Sequence, residues 1–285
     1  MTKTDQLRAI LAEPGAEVMP GVFDAMSARL VERAGFRASF MSGFAVAAAR
    51  LAMPDTGLIS YTEMANQGQN MCDAVSMPII GDGDTGYGNA INVRRTVEGF
   101  ARAGFACVMI EDQVSPKRCG HTRGKKTVDR AEAFARIKAA IDVKNDGTDI
   151  LIMARTDANA TEGFNEALYR AKKFAELGAD ITFLEAPKDV EQMRTYCEQV
   201  PGPKMANMVE QGDTPVLSPQ ELGDIGYKIV IHPLTLLMAG MKAMEDVLTQ
   251  FKDGTYSEDS YDFSHLRDVV GFPEYYEAEK KYAAE

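Results

Sequence analysis

Eight short apolar runs, rich in β-branched residues, alternate along this chain with longer segments of helical period, and that rhythm constrains the fold more than any other feature. The runs are 17–20, 38–42, 78–82, 106–111, 150–155, 180–185, 204–208 and 228–232. Amphipathic segments such as 92–103, 131–143, 165–177 and 191–200 lie between them. Several helical segments end at Ala34-Gly35, Ala103-Gly104 or Leu177-Gly178, where glycine supplies the left-handed conformation that closes a helix. Strands that are apolar on both faces and joined by helices build parallel sheets. Eight βα units in under 300 residues favour a TIM-type (β/α)8 barrel over an open doubly wound sheet. No linker or low-complexity run divides the sequence, so residues 1–285 read as one barrel domain with a C-terminal helical extension over about 253–285.

In such barrels the chemistry sits where the strands end. Here the strand ends read Ser42-Gly43, Asp82-Gly83-Asp84, Glu111-Asp112, Arg155-Thr156-Asp157, Glu185, Asn207 and His232. Any one of these is what a turn would carry in any case. Polar or charged residues on so many strands together, with carboxylates concentrated on the third and fourth, point to a built site.

Asp82 and Asp84 stand two apart at the end of an extended run, a spacing that directs both to the same side. Glu111 leaves the neighbouring strand at the same height. Converging carboxylates repel one another unless a cation lies between them, and oxygen-only donors suit Mg²⁺ first and Mn²⁺ second. The other reading is an Asx turn in 81–86 with Glu111 an ordinary surface residue. Gly81-Asp-Gly-Asp-Thr-Gly86 also imitates a dinucleotide-binding fingerprint. Two aspartates inside that turn would repel a pyrophosphate that the helix N-terminus should attract, which disfavours it.

After the fourth strand comes Ser115-Pro-Lys-Arg-Cys-Gly-His-Thr-Arg-Gly-Lys-Lys126, which places five cations in twelve residues without an acid. The chain as a whole has 31 basic and 42 acidic side chains, a formal charge of −11, so this concentration runs against its composition. Lys117, Arg118 and His121 are expected to favour the thiolate of Cys119. With Gly120 and Gly124 as hinges, the segment reads as a basic lid over a metal-bound anion. Cys72 and Cys107 lie in apolar surroundings and read as core residues, Cys197 lies in an expected helix, and no CxxC pair suggests a zinc site. His265 reads as structural, whereas His232, before Pro233, fits a turn or a site. The acidic balance argues against nucleic acid as a partner. No window approaches 18 apolar residues and the first residues lack a signal-peptide core, so a cytoplasmic protein without a membrane partner is expected.

Taken together, Ser42-Gly43, Pro54-Asp55, Asp82-Gly-Asp-Thr-Gly86, Ile110-Glu-Asp-Gln113, Lys117-Arg-Cys-Gly-His121 and Ala154-Arg-Thr-Asp157 resemble the isocitrate lyase/phosphoenolpyruvate mutase superfamily, in order from about Pro20 to Met241. The resemblance implies a modified TIM barrel with a C-terminal helix exchanged between subunits, commonly in a homotetramer. It implies Mg²⁺ held largely through water by Asp55, Asp82, Asp84 and Glu111. A 2-oxo acid carboxylate would be bound by Ser42, the backbone of Gly43 and Phe44, and Arg155. Lys117, Gly120 and Asn207 would also face the substrate, and Cys119, Arg155, His121 and Glu185 would serve catalysis.

Members that cleave carbon–carbon bonds carry Cys-Gly-His in this loop, whereas phosphonate-forming mutases carry asparagine, so the sequence looks like a lyase. Met238 stands where methylisocitrate lyases place an arginine for an extra carboxylate. An apolar side chain there argues for a small dicarboxylate bearing alkyl groups, such as 2,3-dimethylmalate giving pyruvate and propionate. Arg50 or a lid lysine could supply the missing charge. Methylisocitrate cleavage, decarboxylation or hydrolysis of oxaloacetate, and non-enzymatic sensing of dicarboxylates are the competing readings.

Overall fold

A computed structural model describes residues 1–120, 124–210, 212, 214–256 and 260–282. Its strands are β1 (Glu17–Val22), β2 (Ser39–Met41), β3 (Ile79–Asp82), β4 (Cys107–Glu111), β5 (Leu151–Thr156), β6 (Ile181–Leu184), β7 (Met205–Asn207) and β8 (Ile229–His232). All are parallel, in the order β6-β5-β4-β3-β2-β1-β8-β7. The remaining seam, between β6 and β7, is joined by the bridge of Thr182 with Lys204 and by the Thr182 N–H donating to Pro203 O at 3.0 Å. The expected TIM-type barrel is therefore present, and each expected strand lies within two residues of its boundaries.

Local chemistry explains where the helices start and stop. Asp24, Ser60, Asn89, Asp129, Asp189 and Ser218 each accept a backbone N–H from the first turn of the helix that follows. At the other ends Gly35, Gly104 and Gly178 adopt φ of 87°, 93° and 106°, as the Ala-Gly and Leu-Gly pairs predict.

Alternation along the strands sorts the core into two faces. Met19, Phe40, Ile80, Cys107, Met109, Leu151, Met153, Ile181, Phe183, Met205, Ile229 and Ile231 form one buried cluster inside the barrel. Val108, Ile110, Ile152 and Ala154, one step out of phase, pack outward under the helices. The helix Lys3–Ala12, which the sequence reading did not anticipate, adds Leu7 and Ile10 to the inner cluster. Thr4 ties it to Asp149 O at 3.2 Å, just before β5, so it sits at the end where the strands begin.

Two compact units divide the chain, 1–237 and 238–285. The second holds most of the helix Thr235–Lys252 and the helices Phe263–Val269 and Phe272–Lys280. Large apolar side chains are exposed along it, including Met241, Met244, Leu248, Phe251, Phe263 and Tyr275. No helix among the described residues is long and apolar enough to cross a membrane.

Candidate active site

The inward phase of each strand, carried two residues past its last apolar member, generates the site. Phe40 leads to Ser42, Ile80 to Asp82, Met109 to Glu111, Met153 to Arg155, Phe183 to Glu185 and Met205 to Asn207. Ser42, Asp82, Arg155, Glu185 and Asn207 line one cavity of about 170 Å³, together with Phe44, Asp55, Lys117, Cys119 and Gly120. Its wall is otherwise apolar, from Phe40, Met109, Phe183, Val209, Ile231, Pro233 and Leu234.

Asp82 and Asp84 do converge, but a turn brings them together rather than strand alternation. Asp82 ends β3, and Asp84 lies beyond it in the left-handed region, φ 48°. One Asp82 oxygen accepts the Asp84 N–H at 3.0 Å and the other accepts the Gly43 N–H at 3.1 Å. An Asx turn and a carboxylate site are thus the same object here. The glycines of the 81–86 segment serve packing: a Cβ on Gly83 would lie 2.7 Å from Met109 O, and one on Gly86 2.3 Å from Val93.

Lys117 puts its ammonium between Asp55 and Asp84. It donates to Asp55 Oδ2 at 2.8 Å and approaches Asp55 Oδ1 at 2.6 Å and Asp84 Oδ1 at 2.9 Å. Burial alone would lower its pKa, but Asp84, Asp55 and Asp82 around it hold it well above the ordinary lysine value. Arg155 is handled likewise. Asp157 takes its Nε and Nη2 at 2.8 and 3.0 Å, Glu111 lies 3.2 Å from Nε and Glu185 3.0 Å from Nη2. Burial works against the charged guanidinium, and those three carboxylates keep it charged. Burial, then repulsion from Asp84, raises Asp82; burial also raises Glu111 strongly, against the pull of Arg155.

The donor set fits a hydrated divalent cation. All its donors are hard oxygens, Glu111 Oε1 is buried without a hydrogen-bond partner, and an ammonium already stands between two of the carboxylates. Among the described residues no group of three or more His, Cys, Asp or Glu side chains is placed to hold a metal ion directly.

Lys117, Cys119 and Gly120 of the basic segment line this cavity, and the segment's described residues are fastened down. Gln113 donates to Arg118 O at 2.8 Å and accepts the Arg118 N–H at 3.0 Å, and the Cys119 N–H donates to Asp55 O at 3.1 Å. Lys125 donates to Gly120 O and lies 3.5 Å from Asp157. Gly120 is required where it is, because a Cβ there would lie 2.5 Å from Arg155 Nη2 and 2.7 Å from the Glu185 carboxylate. His121 lies outside the described residues. Cys119 is half-buried, whereas burial pushes the Cys72 and Cys197 thiols up to about 12 and raises Cys107 well above the ordinary thiol value. Met238 falls in the second unit and is half-exposed, while every residue lining the cavity belongs to the first. Arg50 donates to Gln67 at 2.8 Å and does not line the cavity. His232 ends β8 without lining it either, and His265 stacks on Tyr261 with ring centroids 4.0 Å apart.

Sequence reasoning placed Asp112, Gln113 and Asp157 in strand-end motifs and Lys125 in the basic segment without giving any of them an individual role in the site. For Asp112 a signal was present in Glu111-Asp112: where one residue of a pair at a strand end faces inward, its neighbour must face the helices and find a partner there.

The phosphoenolpyruvate phosphomutase family profile matches residues 7–252. The chain is 41% identical to the 2,3-dimethylmalate lyase of Eubacterium barkeri, covering 99% of both chains. It is also 41% identical to the 2-methylisocitrate lyase of Aeropyrum pernix, covering 94% of this chain and 87% of that one. Among solved structures, oxaloacetate acetylhydrolase in complex with 3,3-difluorooxalacetate superposes with a TM-score of 0.95 at 33% identity, covering 100% of this chain and 98% of that one. A 2,3-dimethylmalate lyase described as a PEP mutase/isocitrate lyase superfamily member gives 0.94 at 36% identity, covering 100% and 96%. A phosphonopyruvate hydrolase complex with oxalate and Mg²⁺ gives 0.87 at 27% identity, covering 99% of each chain.

Proposed function

The chain belongs to the phosphoenolpyruvate mutase/isocitrate lyase superfamily, and on that premise we propose that it is a magnesium-dependent carbon–carbon lyase acting on a small alkylated 2-hydroxy dicarboxylate. The substrate class is that of 2,3-dimethylmalate, with pyruvate and propionate as products. One observation carries this reading: Cys119, Arg155 and the Asp82 carboxylate line the same small cavity as an extended apolar wall. At about 170 Å³ the cavity is smaller than the ~300–1,000 Å³ typical of pockets for drug-sized ligands, which suits a six-carbon diacid. Met238 does not line the cavity, so the choice of a diacid over a tricarboxylate rests on the cavity's size and apolar wall.

Asp55, Asp82, Asp84 and Glu111 would hold Mg²⁺, with Mn²⁺ as a substitute; when bound, the ion supplies Lewis-acid polarisation of substrate oxygens. Arg155 and Ser42 orient the carboxylate beside the hydroxyl-bearing carbon. The 2-hydroxyl would pass its proton to the Glu185 carboxylate, which lines the cavity, the C2–C3 bond breaks to leave a C2 carbonyl, and the electron pair passes to C3. Cys119 then delivers a proton to C3 as general acid, and the apolar wall receives the alkyl groups. The closed segment 113–120 shields the carbanion from water. His121 and Glu185 would support that proton delivery, Lys117, Gly120 and Asn207 would contact the substrate, and the backbone of Gly43 and Phe44 would bind the product carboxylate.

The exposed apolar side chains of 238–285 support association with further copies of this chain, and we assign a homotetramer. The functional test is release of 2-oxo acid from 2,3-dimethylmalate, 2-methylisocitrate and oxaloacetate with Mg²⁺, read through a coupled dehydrogenase. Preference for 2,3-dimethylmalate supports the reading. Oxaloacetate as the one substrate consumed would replace it with decarboxylation if pyruvate is released and with hydrolysis if oxalate is, and tight dicarboxylate binding without turnover would replace it with sensing.

A further inference from the structure

Behind Arg155 lies a second tier of buried charge, outside the cavity that Arg155 lines. Asp112 is 1% exposed, and its two oxygens are fully engaged. One accepts the Asp157 N–H at 2.9 Å, and the other accepts the Thr156 hydroxyl at 2.7 Å and Arg170 Nη1 at 3.0 Å. Arg170, also 1% exposed, is anchored in turn by Val128 O at 2.9 Å, Glu162 at 2.8 Å and Glu166 at 2.8 Å.

What this tier holds is an unusual aspartate. Asp157 stands at the N-cap of the short helix Ala158–Thr161, where aspartate ordinarily turns its carboxylate onto the helix N–H groups. It makes no such bond. Its backbone sits at φ −98°, ψ 7°, in the sparsely allowed bridge region. The carboxylate is turned instead onto Arg155 as a two-pronged clamp, with Lys125 nearby. Every other carboxylate that Arg155 meets, Glu111 and Glu185, belongs to the reactive cavity or its rim. Asp157 is thus the one partner free to serve as its fixed support.

We propose that Asp112, braced by Arg170, is a positioning residue for Arg155: it holds the Thr156–Asp157 backbone in the conformation that aims the Asp157 clamp. The kinetic part of the test rests on the lyase reading, while the second readout does not. Three proteins are compared: wild type, Asp112→Asn/Arg170→Gln, and Asp112→Ala/Arg170→Gln. The amide pair retains an acceptor toward the Asp157 N–H without leaving a buried charge unpaired; the alanine pair removes the acceptor at the same net charge.

Steady-state kinetics should show kcat within about threefold of wild type for the asparagine pair and about 100-fold lower for the alanine pair, the scale of a 1 Å misplacement. Because Lys125 reaches Asp157, limited trypsinolysis after Lys125 and Lys126, read by mass spectrometry, should also be faster in the alanine pair. Equal kcat and equal cleavage in the two double variants, at matched thermal midpoints, would overturn the proposal and leave Asp112 a stability residue. If wild type cleaves no diacid, the lyase reading fails, and trypsinolysis alone decides the positioning role. Should the alanine pair fail to fold, Thr156→Val removes one of the two hydrogen bonds to an Asp112 oxygen, leaves that from Arg170 and keeps both charges; unchanged kcat and cleavage there would overturn the proposal equally.

Discussion

Gly43→Ala separates the site from the scaffold because the two pull in opposite directions. Gly43 is the first residue of the helix Gly43–Leu51, behind the N-cap Ser42. On helix propensity alone, alanine there is favoured by up to about 1 kcal/mol. The added Cβ, however, would lie 2.5 Å from Asp82 Oδ2 and 3.0 Å from its Cγ. An ordinary contact is about 3.5 Å, so the carboxylate must retreat by roughly 1 Å. That breaks the 3.1 Å bond from the Gly43 N–H, one of two backbone bonds that aim Asp82. A hydrogen bond to a buried charge contributes about 1.5–3 kcal/mol. Taking about 2 kcal/mol, the cation should bind roughly 30-fold more weakly. The assay is initial rate against Mg²⁺ concentration at saturating 2,3-dimethylmalate, beside a thermal melt. The expected outcome is a rightward shift of the magnesium curve with an unchanged or slightly raised thermal midpoint. A variant with the wild-type magnesium curve would show that Asp82 takes no part in holding the ion.

Cys119→Ser should cut turnover by about 10²–10⁴-fold, the range for losing a general acid, while calorimetry with oxalate and Mg²⁺ gives near wild-type affinity; wild-type turnover would remove Cys119 from that role. Chelating the divalent cation should abolish turnover and weaken oxalate binding by at least about 10-fold, since the anion would otherwise meet the unscreened carboxylates; oxalate affinity indifferent to chelation would contradict the site as drawn. Acid stability has a third handle in Glu166. Its hydrogen bond from Arg130, reinforced by Arg170, lowers its pKa from 4.5 to about 2. A depressed carboxylate stabilises the fold above pH 4.5 and loses that contribution as pH falls from there to about 2. Discounted for partial exposure, the contribution is about 2 kcal/mol, so Glu166→Gln should lower the thermal midpoint near pH 7 by roughly 3 °C and by progressively less below pH 4.5. A deficit that stays constant down to pH 2 would refute the assignment.

The barrel was legible because its strands are buried on both faces. Val108 and Ile110 pack outward while Cys107 and Met109 pack inward, so β4 reads as an uninterrupted apolar run that no helix of comparable length needs. The inward polar residues were legible for the same reason, each following its strand by the period of two. Three kinds of information were not. The helix Lys3–Ala12 has weak amphipathicity, because only Thr4, Leu7 and Ile10 are buried, and its role depends on what lies across the barrel end. Asp84 owes its direction to a left-handed residue, which strand arithmetic does not contain. Asp112 and Arg170 are 58 positions apart, and nothing local to either tells that a buried arginine on one helix meets a strand-end aspartate.

The formal charge of −11 takes a specific form at the barrel mouth. Six carboxylates, Asp55, Asp82, Asp84, Glu111, Asp157 and Glu185, lie buried around the cations of Lys117, Lys125 and Arg155. The pairing is uneven in a useful way. Arg155 engages Asp157, Glu185 and one oxygen of Glu111, so the deficit of positive charge collects on the side of Asp55, Asp82, Asp84 and the other Glu111 oxygen, where Lys117 faces two carboxylates. Burial raises Asp82 and Glu111 there, which means that their ionised forms are held at a cost. A divalent cation relieves that cost most where the surplus is greatest, and it reverses the sign of the field a dicarboxylate would meet. Arg155, already held in place from behind, then needs to move little to accept a carboxylate, so the acidic chain can recognise an acid.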